Sequence, residues 1–278
     1  PINSTIADAQ GEGRILDNAD KPSLSVSTTE VVEGGYAVFN IQLSNPSTQD
    51  VTFDLTPKEG TATQDDYSSI VEVSYDGGVT WTPASEAIIP AGKTQILARV
   101  QTTQDDIDEL VEKFTLTADI TSGNTTNVSS TGTASILDND GEPQIVISDS
   151  SVNEEDGLLT FVVSLSNPSS NVVTVNYVTA DGTAISGSDY VSSTGTITFA
   201  PGETSKIITV AVLDDNVFEN PESMYVNLSN PINSTIADAQ GEGRILDTGT
   251  NSDIPTLTIS DSSVTEGDYN IFTVQISN

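Results

Sequence analysis

The seventeen residues PINSTIADAQGEGRILD open the chain and return unchanged at residues 231–247. Three other lines echo one another: PSLSVSTTEVVEGG from Pro22, PQIVISDSSVNEEDG from Pro143 and PTLTISDSSVTEGD from Pro255. A sequence that repeats itself at this spacing, roughly 110–120 residues, is a tandem array of modules of small-domain size. The register of the repeats divides the 278 residues into four pieces. Residues 1–21 are the last strand of a preceding repeat, 22–142 and 143–254 are two complete repeats, and 255–278 are the first strands of a following one.

Within each repeat the apolar residues alternate. YAVFNIQLS sends Phe39, Ile41 and Leu43 to one face and Asn40, Gln42 and Ser44 to the other, and LLTFVVSLS and IFTVQIS do the same. A period of two with β-branched and aromatic residues marks half-buried strands. The second repeat contains seven such runs: QIVIS, LLTFVVSLS, VVTVNYVT, GTITFAPG, SKIITVAVL, SMYVNLS and GRILD. Turn residues such as SNPSS, DGT and PGET separate them. Seven short strands per module predict an all-β chain of tandem immunoglobulin-like β-sandwich modules. The first repeat carries extra residues around EVSYDGGVTWTP, where Asp-Gly-Gly between Tyr75 and Trp81 predicts an additional hairpin.

Charge restricts what such modules bind. There are 41 Asp and Glu against 8 Lys and Arg, a net charge of −33, with no Cys and no His. Nucleic acid and anionic membrane are disfavoured as partners, whereas cations are favoured. Disulfides, thiolate or imidazole zinc sites, and Cys- or His-based nucleophiles are excluded as well. No apolar run is long enough to span a bilayer, and PINSTIADAQ lacks the basic and apolar regions of a signal peptide. An acidic, aromatic-poor composition also fits disorder, but the regular alternation of apolar residues argues for folded sheet.

If successive strands run antiparallel, the first, third and fifth loops and the end of the seventh strand share one tip of the sandwich. In the second repeat those places hold Glu154, then Asp189, then the run LDDNVFENPE with Asp214, Asp215, Glu219 and Glu222, then Asp247. In the first they hold Glu33, Asp66, Asp105, Asp106, Glu109, Glu112, Asp138 and Asp140. So many carboxylates repel unless a cation sits among them. A hard ion with six to eight oxygen ligands, Ca2+, suits this donor set, and the number of carboxylates suggests two or more ions per tip. Mg2+ demands tighter octahedral geometry, and zinc prefers nitrogen and sulfur. The bland alternative is a set of solvated loop acids, and the recurrence of the pattern in both repeats argues against it.

The combination of a first-loop Glu, a DY pair, a DD-x-x-x-E-x-x-E loop and a terminal I-L-D resembles the Calx-beta motif, known from sodium–calcium exchangers and from tandem arrays in large bacterial surface proteins of RTX type. The resemblance covers essentially the whole chain. It implies an immunoglobulin-like sandwich with calcium at the tip, held by the acids named above, with backbone carbonyls offered by Ile107 and Val217. Two departures follow from it. The first repeat reads as one residue short between Asp106 and Ile107, and the second ends LDTGT where aspartates often follow one another. Asp17 and Asp20 read as the remnant of a preceding tip. DGGVTWTPA and PAGKTQILARV are most similar to the repeat region of an adhesin. The expectation is therefore a calcium-stiffened, extracellular spacer whose partners are calcium and the neighbouring repeats. A regulatory calcium sensor and a sugar- or ice-binding module are the alternatives. Enzymatic use of the carboxylates is disfavoured, because no cleft or aromatic sugar platform is evident in the sequence.

Overall fold

The computed structural model describes residues 5, 10–14, 20–215, 217–247 and 254–277. The strand expected over residues 1–17 and the remnant acid Asp17 fall largely outside them. The chain divides into two compact units, and each contains one two-sheet sandwich.

The first sandwich is built from β1 (Leu24–Val26), β2 (Thr29–Val32), β3 (Tyr36–Leu43), β4 (Val51–Glu59), β5 (Tyr67–Ser74), β6 (Thr82–Pro83), β7 (Glu86–Ile89), β8 (Gln95–Thr102), β9 (Glu112–Ser122) and β10 (Ser129–Leu137). One sheet has the order β1-β3-β8-β5-β6 and the other β2-β10-β9-β4-β7. Alternation puts Phe39, Ile41 and Leu43 of β3 inside, and Phe53 and Phe114 face them from the other sheet. Tyr67 stacks on Phe114 with ring centroids 4.3 Å apart. The Asp-Gly-Gly hairpin joins β5 to β6, with Val73 opposite Thr82. Asp76 closes its turn by accepting from the Val79 and Thr80 amides.

The second sandwich comprises β11 (Gln144–Ile147), β12 (Ser150–Asn153), β13 (Leu158–Leu165), β14 (Val173–Asp181), β15 (Thr194–Phe199), β16 (Ser205–Ala211), β17 (Glu222–Ile232), β18 (Thr235–Ile236) and β19 (Gln240–Leu246). Its sheets have the orders β16-β13-β11-β18 and β12-β19-β17-β14-β15. Phe161, Phe199, Val175 and Met224 fill the space between them. Beyond it, β20 (Leu257–Ile259) and β21 (Val274–Ile276) form an antiparallel pair.

In both sandwiches the first strand is broken in two, a feature that alternation does not reveal. β1 and β11 pair antiparallel with β3 and β13, whereas β2 and β12 cross to the opposite sheet and pair parallel with β10 and β19. The crossing fixes the register of the tip. Asn153 lies opposite Leu246 and Val32 opposite Leu137, so the residues that follow, Glu154 beside Asp247 and Glu33 beside Asp138, leave the sheet together.

Candidate metal centre

At the second tip each acid is delivered by its own element. Glu154 follows β12 and opens a single 3-10 turn, Glu154–Asp156, which Gly157 ends in the left-handed region at φ 76°. The Gly157 amide donates back to the Glu154 carbonyl at 3.1 Å. Glu222 is the first residue of β17 and lies opposite Ile245, two residues before Asp247. Asp189 sits in the β14–β15 loop. The loop is anchored by buried Tyr190, whose hydroxyl donates to Asp181 Oδ1 at 2.6 Å. The Ile185 amide donates to Asp189 Oδ2 at 2.6 Å, and the Leu213 amide donates to the Asp189 carbonyl at 3.0 Å. This last bond ties the loop to the strand end that carries Asp214 and Asp215. The Val217 amide donates to Asp215 Oδ1 (2.7 Å) and the Glu219 amide to Asp247 Oδ2 (3.0 Å).

The result is a crowd of carboxylates. One oxygen from each of Asp189, Glu219 and Glu222 lies within 4.8 Å of the others. Glu154, only 6% exposed, faces Asp247, Asp214, Asp215 and Glu219. Burial first, and then those four anions, push its carboxyl up to about 7. Glu222 is also raised to about 7, by burial and then by the hydrogen bond and charge of Asp189. Glu219 is raised by burial and by Asp189, Asp215 and Asp247. The described ion pairs, Arg14–Glu12, Arg99–Glu72 and Lys206–Glu203, involve none of these acids. Glu154 Oε1 and Glu222 Oε2 are buried without a hydrogen-bond partner. Orphaned, buried carboxylate oxygens are costly unless something positive meets them. An all-oxygen donor set with such orphans fits a hard divalent cation.

The loops of the first sandwich gather two groups, Glu33 with Asp138 and Asp140, and Asp66 with Glu109 and Glu112; within each, one carboxylate oxygen per residue lies within 4.8 Å of the others. Asp140 Oδ2 is buried without a partner. Asp66 is held as Asp189 is: its Oδ2 accepts from the Thr63 amide (2.6 Å) and its carbonyl accepts from the Thr103 amide (2.8 Å). Asp105, Asp106 and Ile107 lie in the β8–β9 loop but belong to neither group. The carbonyl-bearing residue of the second loop, Val217, is largely exposed.

The expected one-residue deletion in the first repeat is not there. Tyr36 pairs with Gln101 as Leu158 pairs with Ala211, so Thr103 corresponds to Leu213 and the two loops are equal in length. The residue equivalent to Asp214 is then Gln104, and Asp105 corresponds to Asp215. Gln104 is a site residue that sequence reasoning missed. Its Nε2 donates to Glu33 Oε1 at 2.9 Å and to the Asp105 carbonyl at 3.0 Å. Aligning the two Asp-Asp pairs with each other hid it, and counting back from the paired strands exposes it. The first tip thus has two acids that the second lacks, Asp106, where the second repeat has Asn216, and Asp140, where it has Gly249; the second has one that the first lacks, Asp214, where the first has Gln104.

The family model described as Calx-beta domain matches residues 17–142 and again 138–263. Sodium/calcium exchanger 1 of Bos taurus is 52% identical over 60 residues, covering 22% of this chain and 6% of the exchanger. That of Canis lupus familiaris is 48% identical over 71 residues, 26% of this chain and 7% of the exchanger. The chain therefore spans only a small part of the length of the curated relatives it matches. A solved structure of an apo-form Calx CBD1 domain is similar at a TM-score of 0.38 with 29% identity, covering 39% of this chain and 100% of that one.

Proposed function

The chain belongs to the Calx-beta domain family, and from that premise we propose that its two sandwiches bind calcium at their carboxylate tips and act as calcium-stiffened spacers. The observation that carries the reading is the pair of buried, unpartnered oxygens, Glu154 Oε1 and Glu222 Oε2, in a crowd of acids that no basic residue joins among the described residues. In the second tip Glu154, Asp189, Asp214, Asp215, Glu219, Glu222 and Asp247 would hold the ions. In the first, Glu33, Asp66, Asp105, Asp106, Glu109, Glu112, Asp138 and Asp140 would do so, with Val217 and Ile107 as carbonyl donors in their respective loops. Bound calcium supplies positive charge that cancels carboxylate repulsion. The protein's part is to hold strand ends and loops so that the acids converge, and the parallel β12–β19 and β2–β10 pairings do this. The sandwiches are read as binding modules rather than enzymes.

We place the parent protein outside the cell, as a repetitive adhesin of bacterial type. Tandem repetition, a net charge of −33 and the lack of Cys support this reading. Extracellular modules work with calcium affinities of about 10⁻⁴–10⁻³ M, which acid-rich, solvent-facing loops can supply. The second reading, a calcium-sensing regulatory module, is favoured by the 48–52% identity to sodium/calcium exchangers. Small-angle scattering with and without calcium separates the two: a spacer stiffens at constant module shape, whereas a sensor changes shape. The test of calcium binding itself is thermal unfolding. A ligand at a hundredfold excess over its Kd adds about 2.7 kcal/mol to the folded state. Chelator should lower the melting temperature, calcium should restore it, and magnesium should restore it poorly. Identical melting curves in chelator and in calcium would overturn the proposal.

A further inference from the structure

The two sandwiches differ beside one strand. Both start from the same pairing, Tyr67 opposite Thr102 in the first and Tyr190 opposite Val212 in the second. In the first sandwich the chain then runs along β8, and β5 pairs antiparallel with it from Val71 opposite Val100 to Ser74 opposite Leu97. The hairpin that follows lies over the outer face. A Cβ on Gly78 would stand 3.6 Å from Leu97 Cδ1, and the Arg99 guanidinium carbon is 4.4 Å from the Trp81 ring centroid. In the second sandwich only Val191–Ser193 separate Tyr190 from β15, which pairs with β14 in the opposite sheet. Among the described residues no strand takes the place of β5, and β16 is the edge of its sheet.

That edge is regular and open. The Val212 amide donates to the Gly157 carbonyl (2.9 Å) and the Leu165 amide to the Thr204 carbonyl (2.9 Å). Antiparallel partners alternate between bonded and non-bonded pairs. The even-numbered residues of β16 therefore bond to β13, and the amides and carbonyls of Ser205, Ile207 and Thr209 point away from it. At seven residues β16 is the longest edge strand among those described. Its register with β13 runs without a bulge, and it contains no Pro, so it lacks two of the devices that blunt an edge. The face beside it is apolar: Ile207 is 64% exposed and Val162, opposite it, 40%. Leu97, which holds the place of Ile207 in the first sandwich, is half-buried beneath the hairpin.

Charge decides what can lie there. Residues 204–213 contain no Asp or Glu, in a chain of net charge −33. The acid just before them, Glu203, is paired with Lys206 at 2.7 Å. A second copy of the chain therefore meets little repulsion along this strand. We propose that β16 pairs antiparallel with the same strand of a second copy across a two-fold axis, with Ile207 opposite the partner's Ile207. The pairing is strand addition at an exposed edge, as β5 adds to β8, and it merges the Val162–Ile207 stripes of the two copies. Such a contact is isologous and closes at the dimer.

The test is weight-average mass by light scattering of the 278-residue chain in calcium, across a concentration series. It is run for the native chain, for Ile207→Lys, for Ile207→Asp and for an equimolar mixture of the two variants. The native mass should approach twice the monomer value and stop there. Each variant alone should stay monomeric, because like charges directly opposite repel, and the mixture should recover the dimer. Ile207 is exposed, so both variants should melt as the native chain does. A native monomer mass at every concentration, growth past the dimer, association that both variants leave unchanged, or a mixture that stays monomeric would overturn the proposal.

Discussion

At the scale of single residues, the tips are defined by where carboxylates lose water. Glu154 and Glu222 are raised to about 7 from an ordinary value of 4.5. Without a cation, the folded chain therefore holds protons at these positions that the unfolded chain has already released. The slope of stability with pH is proportional to the protons bound by the unfolded state minus those bound by the folded state, so stability falls as pH rises from about 4.5 to about 7. Urea melts in chelator should show this decline, and saturating calcium should flatten it. Glu154→Gln keeps the shape and removes the charge. It should stabilise the metal-free protein by about 1–3 kcal/mol and weaken cation binding at the second tip. The reciprocal change, Gln104→Asp, exchanges a donor to Glu33 for another anion. Melting in chelator should show a loss of about 1 kcal/mol or more, and calorimetry in calcium should show tighter or additional binding at the first tip.

At the scale of elements, the broken first strand organises the site, since it is the parallel pairing of β12 with β19 that brings Glu154 to Asp247. The close approach at Gly243 supports that pairing. Gly243→Ala would press on Met224 Sδ at 2.8 Å and Leu159 Cδ1 at 2.9 Å. Overpacking of this kind costs about 1–3 kcal/mol, and denaturant melts should show it with and without calcium. Tyr190→Phe should cost about 1 kcal/mol through the lost bond to Asp181, and it should loosen the loop that carries Asp189. The positions of strands such as β3, β13 and β17 could be read from the sequence because alternation records one buried face directly. The switch of sheets at Ser148–Asp149 could not, because β11 and β12 are each too short to show a period of their own. The acids of the tip could likewise be read from antiparallel order alone. The Gln104–Asp214 equivalence could not, because it depends on pairing register, and two Asp-Asp pairs one residue out of step offer a false match.

At the scale of the whole molecule, two sandwiches repeat one device: strand ends of both sheets deliver acids to one tip. The apolar cores around Phe39 and Phe114, and around Phe161 and Phe199, are each complete within their own sandwich. Removing calcium is therefore expected to soften the tips before it unfolds the sheets. Amide exchange in chelator should speed up first in residues 185–189 and 213–222 and last in β13 and β17.

The central claim is that orphaned carboxylates at the tips are calcium ligands, and a calorimetric calcium titration of the native chain beside the Glu154→Gln, Glu222→Gln double variant tests it most directly. The native chain should give saturable binding that equimolar magnesium does not displace. The variant should keep binding at the first tip and lose affinity at the second by about tenfold or more, on the order of 1.4 kcal/mol or greater. No saturable heat from the native chain, or an isotherm that the double variant leaves unchanged, would contradict the account.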